Sequence, residues 1–281
     1  MPFLSFRLMR EILRHPAGQW TLAILITLTA AVYQRGTGPT YPRRVSFEVD
    51  GKSYDQKLIR SHGGKSDCPV VIEMPVEGAT GILSYRRYPT DEPWTNVPLV
   101  RDGDLLEADL PNQPPAGKLE YIVVLTGTDG KTSAGPETAT VIRFKGAVPA
   151  GFLFPHVLFM FLAMLVSTLV ALKALTGSPQ RLKYTWITVI LLFLGGLVFG
   201  PIVQKYAFGD FWTGWPWGYD LTDNKVAVSF LFWAVALVTN LKKRRPFWIV
   251  VASVVLLAIY SIPHSVMGSE LDPETGKVMT G

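Results

Sequence analysis

Five apolar segments, separated by short basic or polar stretches, constrain the fold of this chain more than any other feature. They cover residues 20–33, 152–175, 184–203, 226–241 and 247–262. A helix needs roughly 20 mostly apolar residues to cross a hydrocarbon core, and shorter ones end in the interfacial zone or pack against neighbours. The sequence therefore predicts an α-helical integral membrane protein with about five spans.

Basic residues beside the apolar segments predict the orientation of the chain. The clusters are Arg7, Arg10 and Arg14; Lys173, Arg181 and Lys183; and the "KKRR" run from Lys242 to Arg245. Since cytoplasmic loops are enriched in Lys and Arg, all three clusters are predicted to face the cytoplasm of a bacterial inner membrane. Residues 36–147, the loop 204–225 and the tail 263–281 then lie outside. Residues 1–35 are predicted to be a cytoplasmic N-terminus with an uncleaved anchor, the alternative being a cleaved signal peptide.

The segment 36–147 has short alternating runs instead of apolar blocks. Asp50-Gly51 lies between two of them and is a favoured hairpin turn. Six or seven short strands predict an inserted, extracytoplasmic all-β sandwich. The segment holds 13 Lys and Arg against 15 Asp and Glu, so the net charge of +5 comes from the basic clusters. That distribution does not indicate a nucleic-acid partner.

The run "LEYIVVL", with Tyr121 near its start, resembles the penultimate strand of immunoglobulin-like and fibronectin type III domains. The resemblance implies that residues 40–146 form such a sandwich, a module that commonly contacts protein partners. The disulfide and the buried Trp of immunoglobulin domains are absent from the pattern. A single cysteine, Cys68, excludes internal disulfides and Cys-based metal sites.

Candidate site residues collect at the predicted outer ends of the helices. His156 and His264 each follow a proline, and Trp212, Trp215 and Trp217 lie in the loop 204–225. Ionisable groups at membrane depth are costly to keep and are therefore functional candidates. Two neutral imidazoles on adjacent helices can ligate one b-type haem.

The loop "WTGWPWGYD" resembles the tryptophan-rich haem-handling loop of cytochrome c assembly proteins. The matching residues are Trp212, Trp215, Trp217 and Asp220, with His156 and His264 as flanking histidines. The resemblance implies haem or quinone contact at the outer face. It is interrupted by Gly218 and Tyr219, and the Pro-Lys that follows the acid in that family is missing. The alternative is that the tryptophans mark the lipid–water boundary and the histidines make interfacial hydrogen bonds.

Acidic residues give a second site hypothesis. Asp220 and Asp223, with Glu270 and Asp272, would supply oxygen ligands to a divalent cation if the fourth and fifth helices pack together. The alternative is that Thr222 or Asp223 caps the fourth helix. Lys225, at the unfavourable end of that helix dipole, is expected to have a carboxylate partner.

No sequence signature of hydrolysis or phosphoryl transfer was identified, which favours a non-catalytic role. Residues 148–262 are predicted to be a four-helix transmembrane domain. The whole chain is predicted to be an accessory or assembly subunit of a respiratory or cytochrome-linked membrane complex, with lipid and other membrane or periplasmic subunits as partners. The alternatives are a haem- or quinone-binding redox subunit, and a non-redox scaffold with a divalent-cation or polar-network site.

Overall fold

The computed structural model describes residue 13, residues 15–264, residue 266 and residues 268–280. The basic cluster of Arg7, Arg10 and Arg14 lies outside these residues. The described residues form two compact units. The helical unit contains residues up to 38, 148–205 and 211–268, and the β unit contains residues 39–147, 206–210 and those from 269 onward.

All five apolar segments are helical. Among the described residues the helices are α1 Pro16–Thr37, α2 Ala150–Leu175, α3 Arg181–Phe208, α4 Leu221–Lys242 and α5 Pro246–Ser261. The first four are long and apolar enough to cross a membrane, whereas α5 is shorter, with 16 residues. Helix α3 contains a π-helical segment, Phe193–Phe199. The predicted combination of apolar helices with a β domain between the first and second helices is confirmed at this level.

The π-helical segment of α3 packs against both α2 and α4. The N–H of Gly200 donates to the carbonyl of Gly195, the five-residue spacing of a π-helix. A Cβ on Gly195 would lie 2.9 Å from Phe159 Cβ, and one on Gly196 would lie 2.6 Å from Val226 Cγ1. A helix of this chain approaches each of these glycines closely, α2 at Gly195 and α4 at Gly196.

Helices α2 and α5 are direct neighbours. The Ser253 hydroxyl donates to the Ser167 carbonyl at 2.8 Å, and the Tyr260 hydroxyl donates to the Met160 carbonyl at 2.8 Å. The fully buried Trp233 of α4 belongs to the same apolar core as small residues that let the helices approach, namely Ala163, Ala236 and Ala252. The adjacency that a shared site on α2 and α5 requires is therefore present.

The β unit is built from short strands. They are β1 Arg43–Val49, β2 Lys52–Leu58, β3 Ser61–Gly63, β4 Cys68–Glu73, β5 Thr80–Arg87, β6 Thr95–Pro98, β7 Val100–Asp102, β8 Leu105–Leu110, β9 Lys118–Thr126, β10 Thr132–Ala134, β11 Thr140–Lys145, β12 Ser269–Leu271 and β13 Val278–Thr280. Asp50 and Gly51 both have positive φ, 48° and 71°, so the predicted hairpin turn joins β1 to β2. The hairpin β12–β13 in the tail was not predicted.

The strands enclose one apolar core. The largest sheet has the order β3-β11-β9-β5-β6, with β10 also paired to β9, and a second sheet has the order β4-β8-β7. Buried side chains of β1, β4, β5, β8 and β9 meet in this core, including Phe47, Ile72, Leu83, Leu106 and Tyr121. The alternation of buried and exposed residues along β9 places one face of the large sheet against the core.

Candidate functional site at the start of helix α4

The segment between α3 and α4 is folded back onto the first turn of α4. Asp220 is the N-cap residue, and its side chain accepts hydrogen bonds from the amides of Thr222 and Asp223. The prediction that Thr222 or Asp223 caps the helix is therefore wrong, because both residues donate their amides to the cap residue, Asp220. The Asp220 amide donates to the Thr213 carbonyl at 3.0 Å, which closes the loop.

Asp223, in the first turn of α4, fixes the loop through hydrogen bonds. Its Oδ2 accepts hydrogen bonds from the amide of Thr213 at 2.6 Å, the amide of Gly214 at 3.0 Å and the side-chain amide of Gln204 at 3.0 Å. Asn224 Oδ1 accepts from the amide of Trp215 at 2.8 Å. Asp223 is 5% exposed, so these bonds are made away from solvent, where a polar group without partners is costly.

The aromatic loop, defined here as residues 211–219, presents its rings outward. Trp215, Trp217 and Tyr219 are 75%, 81% and 79% exposed. Trp212 has a different role, because its indole N–H donates to the Trp215 carbonyl at 3.1 Å and so braces the loop. Of the three predicted site tryptophans, two are therefore presented to the surroundings and one supports them.

His156 lies near the start of α2 and faces the π-helical segment of α3. Its Nδ1 is 2.8 Å from the carbonyl oxygen of Gly195. Because a carbonyl only accepts, Nδ1 is the nitrogen that carries the proton. Within the residues that the structure describes, the His156 ring makes no other hydrogen bond. In the neutral tautomer that carries its proton on Nδ1, the lone pair of Nε2 is available.

His264 lies in the turn after α5 and is exposed. It lines a small cavity together with Gln34, Met160, Lys225 and Tyr260. The cavity has a volume of about 30 Å³, room for about two water molecules. His156 does not line it. The adjacent helices thus give the two histidines different surroundings.

Lys225 is buried at the same end of α4; the Asp220 carboxylate interacts with its charge, and its direct hydrogen-bond acceptors are main-chain carbonyls. Its ammonium donates to Ile262 at 3.2 Å and to Pro263 at 3.1 Å. These residues follow the C-terminus of α5, where carbonyls carry partial negative charge. Carbonyls at the C-terminal end of α5 therefore bind the ammonium near the N-terminus of α4. The dipole of α4 alone gave no reason to expect this contact.

The four predicted metal ligands fall in different units. Asp220 and Asp223 belong to the helical unit, where they serve as helix cap and loop support. Glu270 and Asp272 belong to the β unit. Glu270 forms a salt bridge with Lys118, and Asp272 accepts hydrogen bonds from Glu274 and Thr275 within the β12–β13 turn, which hold its pKa below the usual range. In the described part of the chain, no group of three or more His, Cys, Asp or Glu is arranged to hold a metal ion.

One face of the large sheet carries apolar side chains on the outside. Pro98, Ile82, Val124 and Ala134 lie in register across β6, β5, β9 and β10. Ile82 is 47% exposed, and Pro98 and Ala134 are also exposed. We call these four residues the apolar row. The sequence indicated it only through apolar residues at the solvent-facing positions of β5 and β9. The strand pattern alone did not show that these residues lie side by side.

Arg86 lies on the same face of β5, four residues after Ile82, and there the face is charged and no longer apolar. Its guanidinium carbon lies 4.7 Å from the centre of the Trp94 ring, and its Nε donates to Glu120 at 2.6 Å. Arg87 pairs with Glu92 instead. Arg86, Arg87 and Trp94 are thus all engaged in contacts within the chain.

Comparisons with protein-family models, with curated proteins and with solved structures found no match to this chain. The resemblances to immunoglobulin-like domains and to the cytochrome c assembly loop therefore stay predictions. Gln204 and Thr213, which support the aromatic loop, were not anticipated. The only sequence signal for a polar network below the aromatic loop was the closeness of "DLTDNK" to the tryptophans.

Proposed function

We propose that this chain is an accessory or assembly subunit of a bacterial inner-membrane complex, in which the β unit binds an exported protein partner. Four helices of spanning length and composition support the membrane part. The basic stretches after α2 and α4 support an orientation with those ends in the cytoplasm, α5 serving as a short fifth span. The β unit is then periplasmic.

The order of the strands supports the immunoglobulin-like assignment within this proposal. Constant-type immunoglobulin sheets contain strands B, E and D on one side and C, F and G on the other. The neighbours β4-β8-β7 and β5-β9-β11 follow that order. The Tyr121 hydroxyl departs from the tyrosine corner, since it donates to the Ile59 carbonyl, 62 positions earlier in the chain, at 2.8 Å.

The observation that carries the proposal is the apolar row. The β unit already has a complete core, so these four side chains are not needed to build it. Contiguous exposed apolar residues on a folded domain mark interaction sites more often than scattered ones do. The exposed sheet face beside them suits a folded or extended polypeptide partner.

Site-specific photocrosslinking tests this assignment in the intact membrane. A photoreactive residue at Ile82 is expected to crosslink one exported protein, and the Ile82→Asp/Val124→Asp variant is expected to lose that protein on purification. Val100, 69% exposed on β7 of the other sheet, is the matched control position. Equal crosslinking from positions 82 and 100, or a complex unaffected by the double substitution, would argue against the row as the docking surface.

A second candidate function, haem binding at the outer face, is favoured by the geometry of His156. Histidines that ligate metals usually donate their other ring N–H to a carbonyl or carboxylate, as His156 does to Gly195. If haem is bound, His156 would hold it together with His264, the predicted second ligand, and the haem would supply one-electron transfer. The cavity at His264 is far smaller than a cofactor pocket, so its lining residues would not enclose a haem.

Absorption spectroscopy of the gently extracted complex separates the two functions. Haem binding predicts a Soret band that disappears in His156→Ala. His62, exposed in the β unit and paired with the Ser66 carbonyl, is the control, and His62→Ala should leave the spectrum unchanged. If the intact complex gives no Soret band, ligation by His156 is excluded, while the proposal for the β unit is unaffected.

A further inference from the structure

We infer that the aromatic loop is a preformed anchor for the lipid–water interface, with Trp215, Trp217 and Tyr219 as the inserting side chains. This inference rests on the proposed membrane insertion of α3 and α4, but not on the partner of the β unit or on haem. It assigns the loop a ligand of its own, the headgroup region of the bilayer. Asp223 and Asn224 act in it as positioning residues.

The exposure of the rings is the first observation behind this anchor. Three aromatic side chains within five positions are each at least 75% exposed, although large rings are usually the first groups that a fold buries. Phe211 adds a fourth ring, 57% exposed. The folded chain leaves this apolar surface uncovered, so its burial requires something outside the chain.

The position of the loop identifies what covers it. It joins α3 to α4, and both helices are long and apolar enough to span a membrane. A short connection between two spans lies at the membrane surface, where Trp and Tyr concentrate because each ring combines an apolar body with a polar N–H or O–H. The ammonium of Lys205 in α3 lies 5.5 Å from the centre of the Phe211 ring, a cation–π contact beside the loop.

The rigidity of the loop distinguishes this anchor from a mobile aromatic turn. Hydrogen bonds from the Gly214 amide to Asp223 and from the Trp215 amide to Asn224 fix the main chain before any contact with lipid. The amides of Trp217 and Gly218 both donate to the Gly214 carbonyl, at 3.0 and 2.9 Å. Because the loop is already ordered, insertion sacrifices little conformational entropy.

Spin labelling in phosphatidylcholine nanodiscs tests the depth of the loop. In a Cys68→Ala background, a nitroxide at Trp217→Cys is compared with one at Val100→Cys on the β unit. Collision with oxygen, relative to collision with a water-soluble nickel chelate, is expected to be several-fold higher at position 217. Equal ratios at the two positions would overturn the inference. Protection at position 217 that arises only after haem is added would overturn it in favour of a haem site.

Substitution of the positioning residues tests the proposed preorganisation. Asp223→Ala and, more mildly, Asn224→Ala should increase nitroxide mobility at position 217 and reduce its protection from the chelate. Asp210→Ala, at an exposed acid before the loop, is the control and should change neither. If Asp223→Ala fails to fold, Asn224→Ala still decides the matter, because it removes the hydrogen bond to Trp215. Unchanged mobility in a folded Asn224→Ala protein would refute the role of Asn224.

Discussion

The buried ammonium of Lys225 donates a hydrogen bond to the carbonyl oxygen of Ile262, 37 residues later in the chain, at 3.2 Å. This bond joins the first turns of α4 to the end of α5. It places a positive charge where the dipole of α5 is negative, although the dipole of α4 opposes a cation at this point. The contact with the C-terminal end of α5 thus accommodates a cation that the dipole of α4 disfavours.

Replacement of Lys225 by Met is expected to lower the stability of the helical unit. The carbonyls of Ile262 and Pro263 would lose their shared donor, at a cost of about 1–3 kcal/mol. The measurement is thermal unfolding of the purified protein in detergent. Lys242→Met, an exposed change in the last turn of α4, should have a smaller effect. An unchanged or higher melting temperature for Lys225→Met would show that desolvation of the charge costs as much as its bonds contribute.

A methyl group at Gly195 is expected to disrupt the contact between α2 and α3. The new Cβ would lie 2.9 Å from Phe159 Cβ and 3.1 Å from the main-chain nitrogen of Met160, and a backbone atom cannot rotate away. Overpacking of this kind costs about 1–3 kcal/mol. Gly36→Ala in α1 is the matched control, because its Cβ would have no neighbour within 4 Å. Equal melting temperatures for the two variants would contradict the packing described here.

The thiol of Cys68 is expected to be unreactive in the folded protein. Burial, assisted by the negative charge of Asp109, raises its pKa from 9.0 to about 11. Because the folded pKa is the higher one, the contribution of the thiol to stability is complete below pH 9.0 and is lost as the pH rises towards about 11. Alkylation by iodoacetamide at pH 9 should therefore be slow until denaturant is added.

The raised pKa of Cys68 also predicts that the stability of the natural protein depends on pH differently from that of Cys68→Ala. Between pH 9 and pH 11 the natural protein should lose stability more steeply than the variant, since other groups titrate equally in both. Denaturant titrations across that range measure the difference. Parallel pH profiles, or rapid alkylation of the folded protein, would show that Cys68 is more accessible than its 1% exposure indicates.

Substitution of Arg86 by Lys is expected to weaken the outer face of the large sheet. Lys retains the charge near Glu120 but loses the planar contact with the Trp94 ring, for which about 0.5–2 kcal/mol is typical. Arg87→Lys, at a pair that is more exposed than Arg86–Glu120, should change stability less. Denaturation followed by Trp fluorescence compares the two, and a larger loss for Arg87→Lys would reverse the assignment.

The sequence by itself determined the helices, the β1–β2 hairpin and the alternating strands. Each of these depends on residues close together in the chain, such as Asp50-Gly51 at positive φ or apolar runs of spanning length. The same local signals placed the aromatic loop between α3 and α4. They also indicated that the acids of "DLTDNK" would serve the start of a helix.

Only the tertiary structure decided how these elements use their polar groups. Asp223 meets Gln204, His156 meets Gly195 and Lys225 meets Ile262 through single hydrogen bonds between segments distant in the chain. Such bonds leave no periodicity in the sequence, because any donor of suitable length can satisfy the same acceptor. The apolar row has the same origin, since strand register, which is set by the whole sheet, brings its four residues into line.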